Sequence, residues 1–196
     1  MKKYCTLLVS IAIIAFSFSA KAQTYQWAKS GGGGGADNGT SITTDGSGFS
    51  YICGTYSGSA TFGTFNLVGG GSYIAKYDPN GVCQWAVKCG GNVASIKVGY
   101  ITGSYMGAAT FGTFTLNSLG GTIDIFIARF DVSTGSFLWA STAGSAFDDD
   151  YGTDISFDTG GNPILTGYFW DQATFATYNL VGSGWEIFIA HYLATN

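Results

Sequence analysis

The chain has 196 residues, eight Lys and Arg against twelve Asp and Glu, and a formal net charge of −4. Only 10% of residues are charged, while 31 are Gly and 16% are Phe, Trp or Tyr. This acidic balance argues against nucleic acid, whose binding rests on Lys and Arg contacts to phosphate, and against electrostatic docking on anionic lipid.

The N-terminus reads as an export signal spanning residues 1–22. Lys2 and Lys3 form a charged start, residues 7–18 are apolar, and Ser19-Ala20-Lys21-Ala22 ends in the small-residue pattern of a cleavage site. The apolar run is short of the roughly 20 residues that span a bilayer, so cleavage after Ala22 is expected rather than anchoring. No later stretch is apolar enough to span. Without Lys2, Lys3 and Lys21, five basic residues face twelve acidic ones, a net charge of −7 for residues 23–196. A secreted or cell-surface location follows from this reading.

The remaining chain reads as all-β. Gly disfavours helix, aromatic residues suit a pleated and half-buried surface, and no window after the leader shows a 3.6-residue apolar period. Cys53, Cys83 and Cys89 are odd in number, so at least one is unpaired within the chain. Six residues of strand span about 20 Å, whereas a disulfide needs Cα atoms within about 7 Å. Cys83 and Cys89 are therefore expected to stay apart unless the chain turns back between them, and buried free thiols are the preferred reading.

A repeat runs through the chain. Ala60-Thr61-Phe62-Gly63-Thr64-Phe65-Asn66-Leu67 returns at residues 109–116 and again, as Ala-Thr-Phe-Ala-Thr-Tyr-Asn-Leu, at residues 173–180. An Ile-Ala-basic-aromatic element follows each copy, ending at Lys76-Tyr77, Arg129-Phe130 and His191-Tyr192. Trp-Ala pairs stand at Trp27-Ala28, Trp85-Ala86 and Trp139-Ala140, spaced by 58 and then 54 residues. A Gly-aromatic corner recurs at Gly54-Thr55-Tyr56, Gly103-Ser104-Tyr105 and Gly167-Tyr168-Phe169. That period fits one four-stranded propeller blade.

Three units are thus expected, at about 27–84, 85–138 and 139–196. Each would hold a first hairpin, a Thr-Phe-Gly ornament, an Ile-Ala strand and a Trp strand. In the Ile-Ala strand both alternating faces are apolar, as for a strand between two layers. The middle unit is nine residues shorter between its Trp and its ornament than the first. It is expected either to lack a proper first hairpin or to carry a deletion.

Taken together, these motifs resemble the SBBP repeat, a β-propeller repeat of exported bacterial proteins, over essentially the whole chain after the leader. The resemblance implies a propeller-like fold and carries no catalytic residues. Closed propellers have about four to eight blades, so three units imply either a partial propeller, a piece of a longer protein, or half of a homodimeric ring. The Trp27 strand would then supply the fourth strand of the last blade.

Candidate sites are few. Asp148, Asp149, Asp150 and Asp154 are clustered oxygen donors of the type Ca²⁺ takes, without EF-hand spacing; the competing reading is a solvated acidic loop with a turn-forming Asp150. Trp170 and Trp185 fall outside the repeated Trp position and are candidate exposed aromatics for a ligand. His191, the one His, replaces Lys76 and Arg129 and reads as a polar slot. Gly31–Gly35 lacks the Lys-Ser/Thr of a phosphate loop and reads as a flexible connector. Asp154 with Glu186 or Asp171 is the only carboxylate pairing that invites glycosidase chemistry. The expected function is a non-catalytic binding or scaffold module for an extracellular protein or glycan, with no required cofactor. The alternatives are a lectin-like glycan binder or a secreted polysaccharide hydrolase.

Overall fold

The computed structural model describes residues 24–193. The leader read from residues 1–22 lies outside them. The described residues form an all-β structure of fifteen antiparallel strands.

Six strands come first: β1 (Asn38–Thr44), β2 (Ser50–Tyr56), β3 (Ser59–Phe62), β4 (Phe65–Val68), β5 (Gly71–Tyr77) and β6 (Cys83–Cys89). The first sheet has the order β1-β2-β5-β6, and β3-β4 is a separate hairpin set between β2 and β5. The second group repeats this plan with β7 (Asn92–Lys97), β8 (Tyr100–Met106), β9 (Ala108–Phe111), β10 (Phe114–Asn117), β11 (Ile123–Phe130) and β12 (Phe137–Ala143). Its sheet runs β7-β8-β11-β12, with β9-β10 as the hairpin. In the third group, β13 (Asp150–Phe157) pairs with β14 (Pro163–Phe175), which pairs with β15 (Tyr178–His191). Here the hairpin has fused into the long strands.

The repeated sequence elements have local physical reasons. Asp45, Asp78 and Asp158 each close a turn by accepting two backbone N–H groups through Oδ1, the Asx arrangement that favours Asp there. The corner glycines Gly54, Gly103 and Gly167 sit beside a bulge in the partner strand. A Cβ on any of them would strike a backbone carbonyl, of Asn38, Asn92 and Tyr151 respectively. Only Gly allows that approach.

The sheets stack face to face, with the second between the first and third. Tyr51, Ile74, Trp85, Val93, Ile96, Phe126 and Phe130 belong to the core between the first and second sheets. Ile125, Ile127, Ile155, Leu165 and Phe188 belong to that between the second and third. Successive residues of β11 therefore serve opposite cores, as the two apolar faces of that strand required. Cys53 and Cys89 are buried free thiols and Cys83 is a half-buried one, consistent with the placement of the last two at opposite ends of β6.

Four sequence expectations are corrected. The middle group does have its first hairpin: Lys97 pairs with Tyr100 across a two-residue turn that Gly99 closes at φ 84°. The missing residues shorten the connection and leave the hairpin intact. The third sheet has three strands among the described residues, not four. Trp27 is not in a strand; it lies over Gly81 and its indole Nε1–H donates to the Pro79 carbonyl at 2.9 Å. Finally, the glycine run is not a slack connector. Gly32 exchanges two backbone hydrogen bonds with Thr61, and side chains at Gly31, Gly33 or Gly35 would collide with Phe62, Ser59 and Ser57.

Candidate functional site

The face of the third sheet turned away from the second carries a group of exposed large apolar residues. The period of two along a strand sets which residues share it. Tyr151 pairs with Tyr168 across β13-β14. Across β14-β15, Tyr168 pairs with Ile187, Trp170 with Trp185 and Thr166 with Ile189. Exposure is 39% at Tyr168, 37% at Trp170, 53% at Trp185, 87% at Ile187 and 78% at Ile189.

Four of these residues form one continuous aromatic surface. Tyr151 and Tyr168 are stacked at 4.9 Å, Trp185 meets Tyr168 edge-on at 5.2 Å, and Trp170 meets Trp185 edge-on at 5.3 Å. Stacked and edge-on contacts at such separations hold the rings in mutually favourable orientations. Beside them lies an open groove of about 610 Å³, lined by Trp170 and Val181 together with Asp148, Asp171, Gln172 and Ser183. A bulge between Trp170 and Gln172 puts Asp171 in the left-handed region at φ 54°, where its Oδ1 accepts the Gly184 N–H at 2.7 Å. That bulge turns the end of β14 and forms the groove wall.

The two sequence candidates Trp170 and Trp185 are therefore brought together. Tyr151 and Tyr168 were missed. Their signal lay in the register: the positions of Tyr151, Tyr168 and Trp170 hold Asn38, Thr55 and Ser57 in the first sheet and Asn92, Ser104 and Met106 in the second.

The four aspartates proposed for a cation do not form one site. Among the described residues no three His, Cys, Asp or Glu residues group as metal ligands. Asp148 lines the groove. Asp149 Oδ1 accepts the Ile123 N–H at 2.9 Å. Asp154 Oδ1 accepts the Ser95 hydroxyl at 2.5 Å. Asp150 is fully buried, and its companion is Asp124, which the sequence reading did not single out: a Cβ on Gly144 would strike Asp124 Oδ1 and lie 2.9 Å from Asp150 Oδ2. Both Asp150 oxygens and Asp124 Oδ1 lack a hydrogen-bond partner. Burial is the main cause that raises these carboxyls, to about 6 for Asp124 and about 7 for Asp150; nearby backbone N–H groups offset part of it, and neighbouring carboxylates, Asp149 for Asp124 and Asp124 with Asp148 for Asp150, add to it.

Two carboxylates, Asp148 and Asp171, line the groove. Glu186 Oε1 accepts the Ser183 N–H, and Glu186 follows Trp185 in the strand and so takes the opposite face. His191 Nε2 lies 3.0 Å from Asp158 Oδ2 at the far end of β15. Its counterpart Lys76 is not solvent-facing: Nζ donates to the Val132 carbonyl of the second group, 4.3 Å from the Phe49 ring centre. No helix among the described residues is long and apolar enough to cross a membrane. No family model matches the chain, and no curated protein matches it.

Proposed function

We propose that this chain is an exported, non-catalytic binding module of β-propeller-repeat type, and that its third sheet binds saccharide through Tyr151, Tyr168, Trp170 and Trp185. The propeller reading is supported by the shared strand order of the first two sheets and by their face-to-face stacking. The ornament and corner motifs that resemble the SBBP repeat support it too, as does the leader-like N-terminus for export.

The observation that carries the ligand class is the aromatic surface itself. It stands where the first sheet has Asn38, Thr55 and Ser57 and the second has Asn92, Ser104 and Met106, none of them aromatic, so the strand plan does not require it. Flat, fixed rings offer faces to the C–H side of a pyranose, and the adjoining Asp148, Asp171 and Gln172 offer hydrogen bonds to hydroxyls. The carboxylates that would make a hydrolase are tied to backbone N–H groups or Ser95, which favours binding over turnover.

Titration of residues 23–196 against a panel of oligosaccharides, followed by tryptophan fluorescence, tests the reading. A saccharide that binds should lose at least tenfold in affinity with Trp170→Ala or Trp185→Ala, while the circular dichroism spectrum is kept. Absence of binding across the panel would remove the saccharide assignment. Release of reducing ends would remove the non-catalytic one.

A further inference from the structure

We propose that the third sheet is completed by a second copy of this chain, whose Trp27 segment adds as a fourth strand along the free edge of β15. The proposal concerns assembly and does not rest on saccharide binding.

Inside the chain the same junction is built at the Trp85 strand. Trp85 pairs with Lys76 of the first sheet, and Ala86 with Ala75. The Trp85 ring also lies over Gly135 of the second group, where its Nε1–H donates to the Val132 carbonyl at 3.3 Å. Five residues after Trp85, a Cβ on Gly90 would press on Thr110 of the next hairpin. One tryptophan strand thus binds two successive groups: it pairs with the third strand of one and rests on the turn of the next.

Trp27 makes one half of these contacts. Its ring lies over Gly81 and its Nε1–H donates to the Pro79 carbonyl, matching Trp85 over Gly135. Gly32, five residues on, pairs with Thr61, as Gly144, five residues after Trp139, pairs with Thr174. The pairing half is vacant, because Trp27 sits in no sheet. The third sheet has the complementary vacancy. Among the described residues β15 has β14 on one side only, and none of them covers the face that seats a neighbouring sheet: Ile189 is 78% exposed where Ile74 and Ile127 are 0% and 5%. An open edge strand with an apolar face is a template for another strand.

The segment that fits this vacancy is the chain's own. Gln26-Trp27-Ala28 repeats Gln84-Trp85-Ala86. Within one molecule Trp27 is held on the first sheet, and the second sheet stands between it and β15. A second copy can therefore supply it without disturbing any contact described above. By the register of Trp85 with Lys76 and Trp139 with Arg129, Trp27 of one copy lies opposite His191 of the other, and Ala28 opposite Ala190. The contact is head-to-tail, and two such contacts close a ring of two copies. Tyr151 and Trp170 stay at the rim of that contact, since Asn38, Ser57, Asn92 and Met106 at the matching positions remain exposed where a neighbouring sheet is seated, whereas Tyr168, which matches half-buried Thr55 and buried Ser104, borders it.

The test is solution mass by light scattering on residues 23–196 without saccharide. A dimer is expected, and Ile189→Asp or Trp27→Ala should each raise its dissociation constant at least tenfold with the circular dichroism unchanged. Ala28→Cys with Ala190→Cys should give a disulfide-linked dimer under oxidation. Trp170→Ala should leave the mass unchanged, which separates this proposal from the saccharide one. A monomer at every concentration up to 100-fold above that used for scattering overturns the proposal. So does a dimer indifferent to both substitutions, or a failure of the paired cysteines to cross-link.

Discussion

Ile127 in the second sheet and Ile189 in the third occupy the same place in the strand plan, yet one is 5% and the other 78% exposed. The neighbouring positions differ more: Ile125 is 1% exposed and Ile187 87%. The strands themselves do not cause this. Both alternate apolar residues on two faces, and both pair with a corner strand in the same register. The difference is that a third sheet covers the outer face of the second, and no described sheet covers that of the third. A strand with two apolar faces thus records a demand for neighbours on both sides, and the fold meets that demand only where a neighbour exists.

The largest expected effect breaks or confirms this contrast. Phe126→Ala should cost about 3–5 kcal/mol and Ile127→Ala about 2–5 kcal/mol of unfolding free energy, because each leaves a cavity between sheets. In dilute, monomeric protein Ile189→Ala should change it by less than about 0.5 kcal/mol. Urea denaturation measures all three. Comparable losses at Ile127 and Ile189 would mean that the third sheet's outer face is covered.

Next in size is the corner glycine. Gly103→Ala would press a methyl group onto the Asn92 carbonyl and should cost about 1–3 kcal/mol. Gly46→Ala, where nothing lies within 4 Å, serves as the control, and thermal melts compare them. Equal melts would show that the bulge relaxes freely.

A smaller effect separates the two junctions between sheets by their pH response. At the junction of the second and third sheets Asp124 and Asp150 are buried together; the matching positions between the first and second are Gly71 and Gly91. The folded pKa values, about 6 and about 7, lie above the ordinary 3.8. The folded chain therefore holds protons that the unfolded chain has released. This stabilisation is complete below about pH 4 and is lost as pH rises toward 7. The melting temperature should rise by about 2–8 °C from pH 7.5 to pH 5, and Asp150→Asn should flatten the slope. Asp158, lowered to about 2 chiefly by its hydrogen bonds to Asn162, acts only below that window. A melting temperature that falls between pH 7.5 and 5 would count against a protonated pair.

The smallest effect lies in the hairpins. Gly63 and Gly112 turn the first two at φ 60°, whereas Ala176 turns the third at φ 53°. Ala176→Gly should gain up to about 1 kcal/mol, the relief of a left-handed Ala less the added freedom of Gly when unfolded. A loss on denaturant titration would mean that the alanine methyl packs usefully.

Much of this was legible in the order of residues. The Thr-Phe-Gly ornament, the Ile-Ala strand, the Gly corner and the Asp-Gly turns each act through neighbours close in the chain, so their positions follow from local sterics and hydrogen bonding. Trp170 and Trp185 stood out because they departed from the repeated Trp position. The aspartate run was visible as charge, but its members point to different partners, and the buried companion of Asp150 lies 26 residues away at Asp124.

The sequence alone determined an all-β chain with its strands, turns and alternating apolar faces, because propensity, periodicity and turn chemistry are local properties. Only the tertiary structure decided which apolar faces are covered, that Tyr151 and Tyr168 join the two tryptophans, and that Trp27 rests on the turn at Gly81. Those outcomes depend on which sheet stacks on which, and stacking brings together residues that no spacing along the chain relates.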